Sequence, residues 1–175
     1  MREFWRNSFM VANICKIIAR NTADSNPETA FTCGMLHNIG IPLMTLVHPQ
    51  EMLSVQHEVD DGAARVAVER ARFGFDSNEV GARLSKAWKF PAEIVDALAS
   101  QGKPLSTQGL SPYAAIIQLA EYFCCQFDDG VDAQTMVSEM PQGFVSVLTI
   151  NTFKLFEELQ KLSDSEDDID ELLAA

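Results

Sequence analysis

No segment of this 175-residue chain alternates apolar and polar residues convincingly with period two, which argues against a sheet-based fold. Positive charge is also scarce. Lys and Arg total 13 against 25 Asp and Glu, a formal net charge of −12 at pH 7. So acidic a chain is a poor match for a phosphate backbone or an anionic membrane leaflet, and neither nucleic acid nor membrane is expected as a partner. Long apolar runs are missing: none approaches the roughly 18 residues of a transmembrane helix, and the best candidate, "YAAIIQLAEYFCCQF", is interrupted by Gln118 and Glu121. The start, "MREFWRNSFMVANICK", reads as an amphipathic helix with Arg6, Asn7 and Asn13, not as a signal peptide, so a cytoplasmic location is expected. The four cysteines, Cys15, Cys33, Cys124 and Cys125, lack C-x-x-C spacing and have no histidine at zinc-finger distance. They read as small buried apolar residues in a reducing compartment. Adjacent helical residues point about 100° apart, which disfavours a bridge between Cys124 and Cys125.

What is present is helical periodicity nearly throughout, with 47% hydrophobic residues to close one core. The spacing of Phe4, Trp5, Val11, Ala12, Cys15, Ile18 and Ala19 predicts a first helix. Asn26 as cap and Pro27 as first residue open a second, expected to end near Gly40. One or two short helices broken at Pro49 follow, then one from the "DDG" at 60–62 to a stop at Gly74. Asp76 and Glu79 stand at capping-box spacing before a helix whose inward face reads as Val80, Leu84, Ala87 and Trp88. Pro91 starts another through Ile94, Val95 and Leu98. After the Gly- and Pro-rich loop, Ser111 and Pro112 open one with Ala115, Ile116, Leu119, Ala120 and Phe123 inward. A short helix around Met136 and a last one from about Asn151, burying Leu155, Phe156, Leu159 and Leu162, complete the pattern. The expectation is a single all-α, multi-helix domain over residues 1–162. Residues 163–175 form an acidic tail, a block of like charge of the kind usually solvated or disordered.

The stretch "FTCGMLHNIGIP" places His37 and Asn38 in what reads as the last turn of the second helix. A histidine followed by an aspartate there would suggest a metal site. Together with "FWRNSFMVA", "ERARFGFDSNEVGARLSKAWKFPAEIVDAL" and "AAIIQLAEYF", it resembles the HDOD domain, a bacterial signalling relative of the HD phosphohydrolases, over roughly Phe4 to Phe123. The resemblance implies an HD/HDOD-like helical domain, in which active HD enzymes hold one or two divalent metals. Their ligands are a first-helix histidine, the His-Asp pair and a later aspartate, and a metal-activated water attacks phosphate esters.

Set against that pattern, Asn7 stands at the first histidine, His37 remains, Asn38 replaces the aspartate and Glu121 takes the later carboxylate position. Where HDOD domains often keep further histidines, this chain has Ser77, then Ser100, Gln101 and Gly102; the Gly-Tyr-Pro signature of HD-type cyclic-dinucleotide phosphodiesterases is absent. One imidazole and one carboxylate do not make a catalytic metal site. Asn7, His37, Asn38 and Glu121 are therefore expected to be vestigial positions, with no catalytic residue, metal or other cofactor. His37 alternatively reads as a core or capping histidine bonded to a backbone carbonyl, its charge suited to a helix C-terminus, with Asn7 and Asn38 as neutral partners. Trp5 and Trp88 read as core.

The expected function is a non-catalytic signalling module acting through protein contacts. The alternatives are a metal-dependent phosphohydrolase acting on a nucleotide or cyclic dinucleotide, and a nucleotide sensor using the emptied site, for which only Arg2, Arg6 and Lys16 lie near the motif. The resemblance also implies a further helical portion before "FWRNS", which this chain does not include. Phe4, Trp5, Phe9 and Met10, spread around more than one side of the first helix, are then the expected interface, with a homodimer or a tight protein partner covering it.

Overall fold

A computed structural model describes residues 2–164, which form eleven helices. In chain order they are α1 (Arg2–Arg20), α2 (Pro27–Leu36), α3 (Gly40–Val47), α4 (Pro49–Asp60), α5 (Arg65–Phe73), α6 (Ser77–Ala87), α7 (Ala92–Ser100), α8 (Pro112–Asp128), α9 (Ala133–Ser138), α10 (Gln142–Leu148) and α11 (Thr152–Asp164). Among the described residues there is no strand, only an isolated bridge between Thr22 and Ile150. The all-α expectation holds. The acidic tail lies, from residue 165 on, outside the described residues.

Local chemistry sets most boundaries. The Asn26 side chain accepts from the backbone N–H of Glu28 and Thr29 and so satisfies two orphan donors of α2. Asp76 accepts from the N–H of Glu79 at the start of α6, and Gly74 closes α5 in the left-handed region at φ 80°. Between those two stops, Arg70 pairs with Asp76 at 2.7 Å and Glu79 at 2.8 Å, tying the end of α5 to the first turn of α6.

Helices α1 and α8 run through the main core. Ile14, Ile18, Ile116, Leu119 and Phe123 are fully buried, α2 packs along α1, and α7 and α9–α11 cover the remaining sides. Met44, Met52, Val55 and Val68 form a smaller core joining α3, α4 and α5.

Several expectations are corrected. Gly40 does not end α2: that helix stops at Leu36, and Gly40 begins α3. Its glycine serves a close approach, because a Cβ there would lie 1.9 Å from the Ser77 carbonyl oxygen. The buried face of α6 is Ser77, Gly81, Ala82 and Ser85, small residues that let α3 and α6 cross closely, while Ala87 and Trp88 face solvent. Trp5 is 44% and Trp88 55% exposed, so neither is core. Met10, expected at an interface, turns into the core; Phe4 and Phe9 are half-buried, with Phe9 edge-on to Phe31 of α2. Cys125 is exposed, unlike the other three cysteines. Helix α10, not expected from the sequence, supplies Phe144 and Leu148 to the core. The 21 residues Pro27–Val47 are long and apolar enough, by length and composition alone, to cross a membrane. Here they form two helices that turn at residues 37–39.

Candidate functional site

His37 follows directly after α2, where the two cores meet, and it is 2% exposed. Its Nδ1 lies 2.6 Å from the carbonyl oxygen of Gly34, which has only an acceptor to offer, so Nδ1 carries the proton. Nε2 is then the lone pair. The Asn38 side-chain amide donates to it at 2.7 Å. Burial drives the His37 pKa down to about 4, against a smaller upward pull from the Gly34 carbonyl, so the ring is neutral at physiological pH. The expected bond to a backbone carbonyl is present; the expected positive charge at the helix end is not.

Glu121 reaches this ring from α8, with Oε1 3.7 Å from Nε2, beyond hydrogen-bond length. Desolvation raises its carboxyl toward about 7, an effect that solvent access to 45% of the side chain works against. Asn7 does not join the ring: its amide turns to Cys124 Sγ at 3.6 Å. Of the four vestigial positions, the fold thus gathers His37, Asn38 and Glu121 and leaves Asn7 on the α1–α8 seam.

Gln101, just past α7, completes the arrangement. Its amide nitrogen donates to the His37 carbonyl oxygen at 2.7 Å and to Asn78 Oδ1 of α6 at 3.0 Å, so one buried side chain ties the α2–α3 turn to α6 and α7. Sequence reasoning marked Gln101 only as the site of a missing histidine. The available signal was its polarity in an otherwise exposed-looking loop entry.

Residues 1–104 match the HDOD domain. The chain belongs to that family. A Shewanella amazonensis protein named as a candidate phosphohydrolase is 30% identical and superposes with a TM-score of 0.86, covering 98% of this chain and 64% of that one. A Marinobacter aquaeolei protein named as a candidate signal transduction protein gives 0.79 at 19% identity, covering 98% of this chain and 38% of its own. A Geobacter sulfurreducens HDOD domain protein of unknown function gives 0.73 at 20% identity, covering 98% and 61%. This HDOD chain therefore spans less than two thirds of each of these relatives.

The HD-related ancestry implies a divalent metal, and the donor set can be tested against it. A histidine whose Nδ1–H is fixed by a carbonyl presents Nε2 as metal ligands commonly do. Here that lone pair already accepts from Asn38, whose amide stands where a carboxylate would otherwise ligate. Among the described residues no three His, Cys, Asp or Glu converge to hold an ion. The residues present do not fit a catalytic metal centre.

Proposed function

We propose that this HDOD domain is a non-catalytic signal-transduction module that acts in the cytoplasm through protein contacts. One observation carries the reading: the Asn38 amide occupies the His37 lone pair that a metal would need. An amide N–H aimed at Nε2 does for the imidazole what a cation would do, satisfying its lone pair without charge. It therefore supports a site kept for packing, not for chemistry. A module of this kind works by its surface. An open apolar groove is lined by Phe4, Ile41, Pro42, Thr45 and the 80% exposed Leu46, the kind of surface on which protein contacts form.

The second reading is a phosphohydrolase, favoured by the name of the Shewanella relative and by the Glu121 carboxyl beside His37. The two separate in an assay of generic phosphodiester, phosphomonoester and cyclic-dinucleotide hydrolysis with added manganese, iron or nickel. Background rates, unchanged in Glu121→Ala, are expected. Turnover that survives purification and disappears in Glu121→Ala would establish the enzyme instead.

A further inference from the structure

Glu69 on α5 is a carboxylate with no exposed surface. One of its oxygens has a plain role: Oε2 accepts the Ser77 N–H at 2.7 Å and so satisfies an orphan donor in the first turn of α6. The other, Oε1, is buried and has no hydrogen-bond partner among the described residues. Arg65, one turn earlier, brings Nη1 only to 3.6 Å, beyond hydrogen-bond length, and that nitrogen is buried without a partner as well. Its Nη2 donates to Gln56 Oε1 of α4. Gln101 is in the same condition, because its amide nitrogen serves the His37 carbonyl and Asn78 while its Oε1 is buried and unpaired.

These atoms belong to one place in the fold. Glu69 and Gln101 fasten the adjacent residues Ser77 and Asn78, and a Cβ on Gly102 would lie 3.7 Å from Val66 Cγ2, so α5 touches the chain just past Gln101. The other buried side-chain atoms without a partner among the described residues, the hydroxyls of Ser8, Ser25 and Ser85, are scattered over α1, the turn before α2 and α6. A carboxylate oxygen and a guanidinium nitrogen left buried and unpaired are costly, so the gap between them has to be filled. The count says by what: the unpaired atoms are two acceptors and one donor. A cation would suit the two oxygens but meets the Arg65 guanidinium, and an anion would suit Arg65 but meets the Glu69 carboxylate. Water donates twice and also accepts. Across the 3.6 Å between Arg65 Nη1 and Glu69 Oε1, one water oxygen can stand about 2.9 Å from both.

We propose that this joint is a buried water site, in which an ordered water accepts from Arg65 Nη1 and donates to Glu69 Oε1, its second hydrogen serving Gln101 Oε1 directly or through a second water. A polar line then runs from Gln56 of α4 through Arg65, Glu69 and Gln101 to the His37 carbonyl, and it links the helices of the smaller core to the His37 turn. A high-resolution crystal structure of the unaltered chain tests this without relying on a variant's foldedness. Well-ordered water density within hydrogen-bond distance of both Glu69 Oε1 and Arg65 Nη1, continuing to Gln101 Oε1, is expected. In solution, Glu69→Met and Gln101→Met, made singly and together in the full chain, are expected to be non-additive by at least about fivefold in the unfolding equilibrium constant, because each strips a partner from the same water. Additive effects would overturn the proposal. So would a direct Arg65–Glu69 hydrogen bond that closes the gap, a protein group bonded to Gln101 Oε1, or a metal ion in the density.

Discussion

Gly40→Ala is expected to destabilise the domain by about 3 kcal/mol, with a fall in melting temperature of roughly 6 to 12 °C. The added Cβ would sit 1.9 Å from the Ser77 carbonyl oxygen and 2.9 Å from the Gly81 nitrogen. Both obstacles are backbone, so no rotamer change relieves them. Helices α3 and α6 must separate, and the shift reaches Asn78 and, through Gln101, the His37 turn. Gly74→Ala is the control: open space surrounds that position, and only its φ of 80° resists a side chain, at about 1 kcal/mol. Urea denaturation of both variants checks the ranking. A Gly40→Ala variant as stable as the parent would mean that α3 and α6 do not cross as tightly as described.

The second large effect is in pH dependence, and Glu121 masks part of it. His37 titrates near 4 when folded, against about 6.5 unfolded. The folded state binds fewer protons between these values, so His37 alone makes stability fall as pH drops from about 6.5 to about 4. Glu121 behaves oppositely. Its folded value near 7 lies above the unfolded 4.5, so it alone makes stability fall as pH rises through that window. From about pH 4.5 to 6.5 protonation of Glu121 in the folded chain offsets part of the His37 slope, and only part, because 45% of the Glu121 side chain is open to solvent. Glu121→Gln is therefore expected to steepen the loss of stability on acidification from about pH 6.5 to 4, toward the loss of up to about 3 kcal/mol that His37 alone would give. His37→Leu is expected to cost about 1 to 3 kcal/mol by stripping the Asn38 amide and Gly34 carbonyl of their partner. It should also reverse the sign of the slope, weakly because Glu121 is partly solvated. Parallel stability-versus-pH curves for Glu121→Gln and the double variant Glu121→Gln, His37→Leu would show that His37 is not held neutral by burial.

The helices that bury one clear stripe are legible in the sequence. Helix α8 is the plainest case, since all five residues read as its inward face are fully buried. Boundaries set by tertiary contact are not. Gly40 read as a stop because glycine commonly closes helices, whereas here it is required by a helix that arrives 37 residues later. Trp88 read as core because hydrophobicity expresses a preference, and the small residues Gly81, Ala82 and Ser85 already occupy the crossing it would have used. Helix α10 has seven residues, too few for its period to show. At the site, the type of each residue and its replacement were readable, but their pairing was not. That Asn38 turns to the imidazole while Asn7 turns to a cysteine follows from how α1, α2 and α8 meet.

The central claim is that Asn38 has taken the place of a metal at His37. It is tested most directly by elemental analysis of the purified chain after reconstitution with manganese, iron or nickel and removal of loosely held ions. The account predicts far less than one equivalent of any transition metal, with no difference between the parent and His37→Ala. About one metal per chain, lost in His37→Ala, would contradict it.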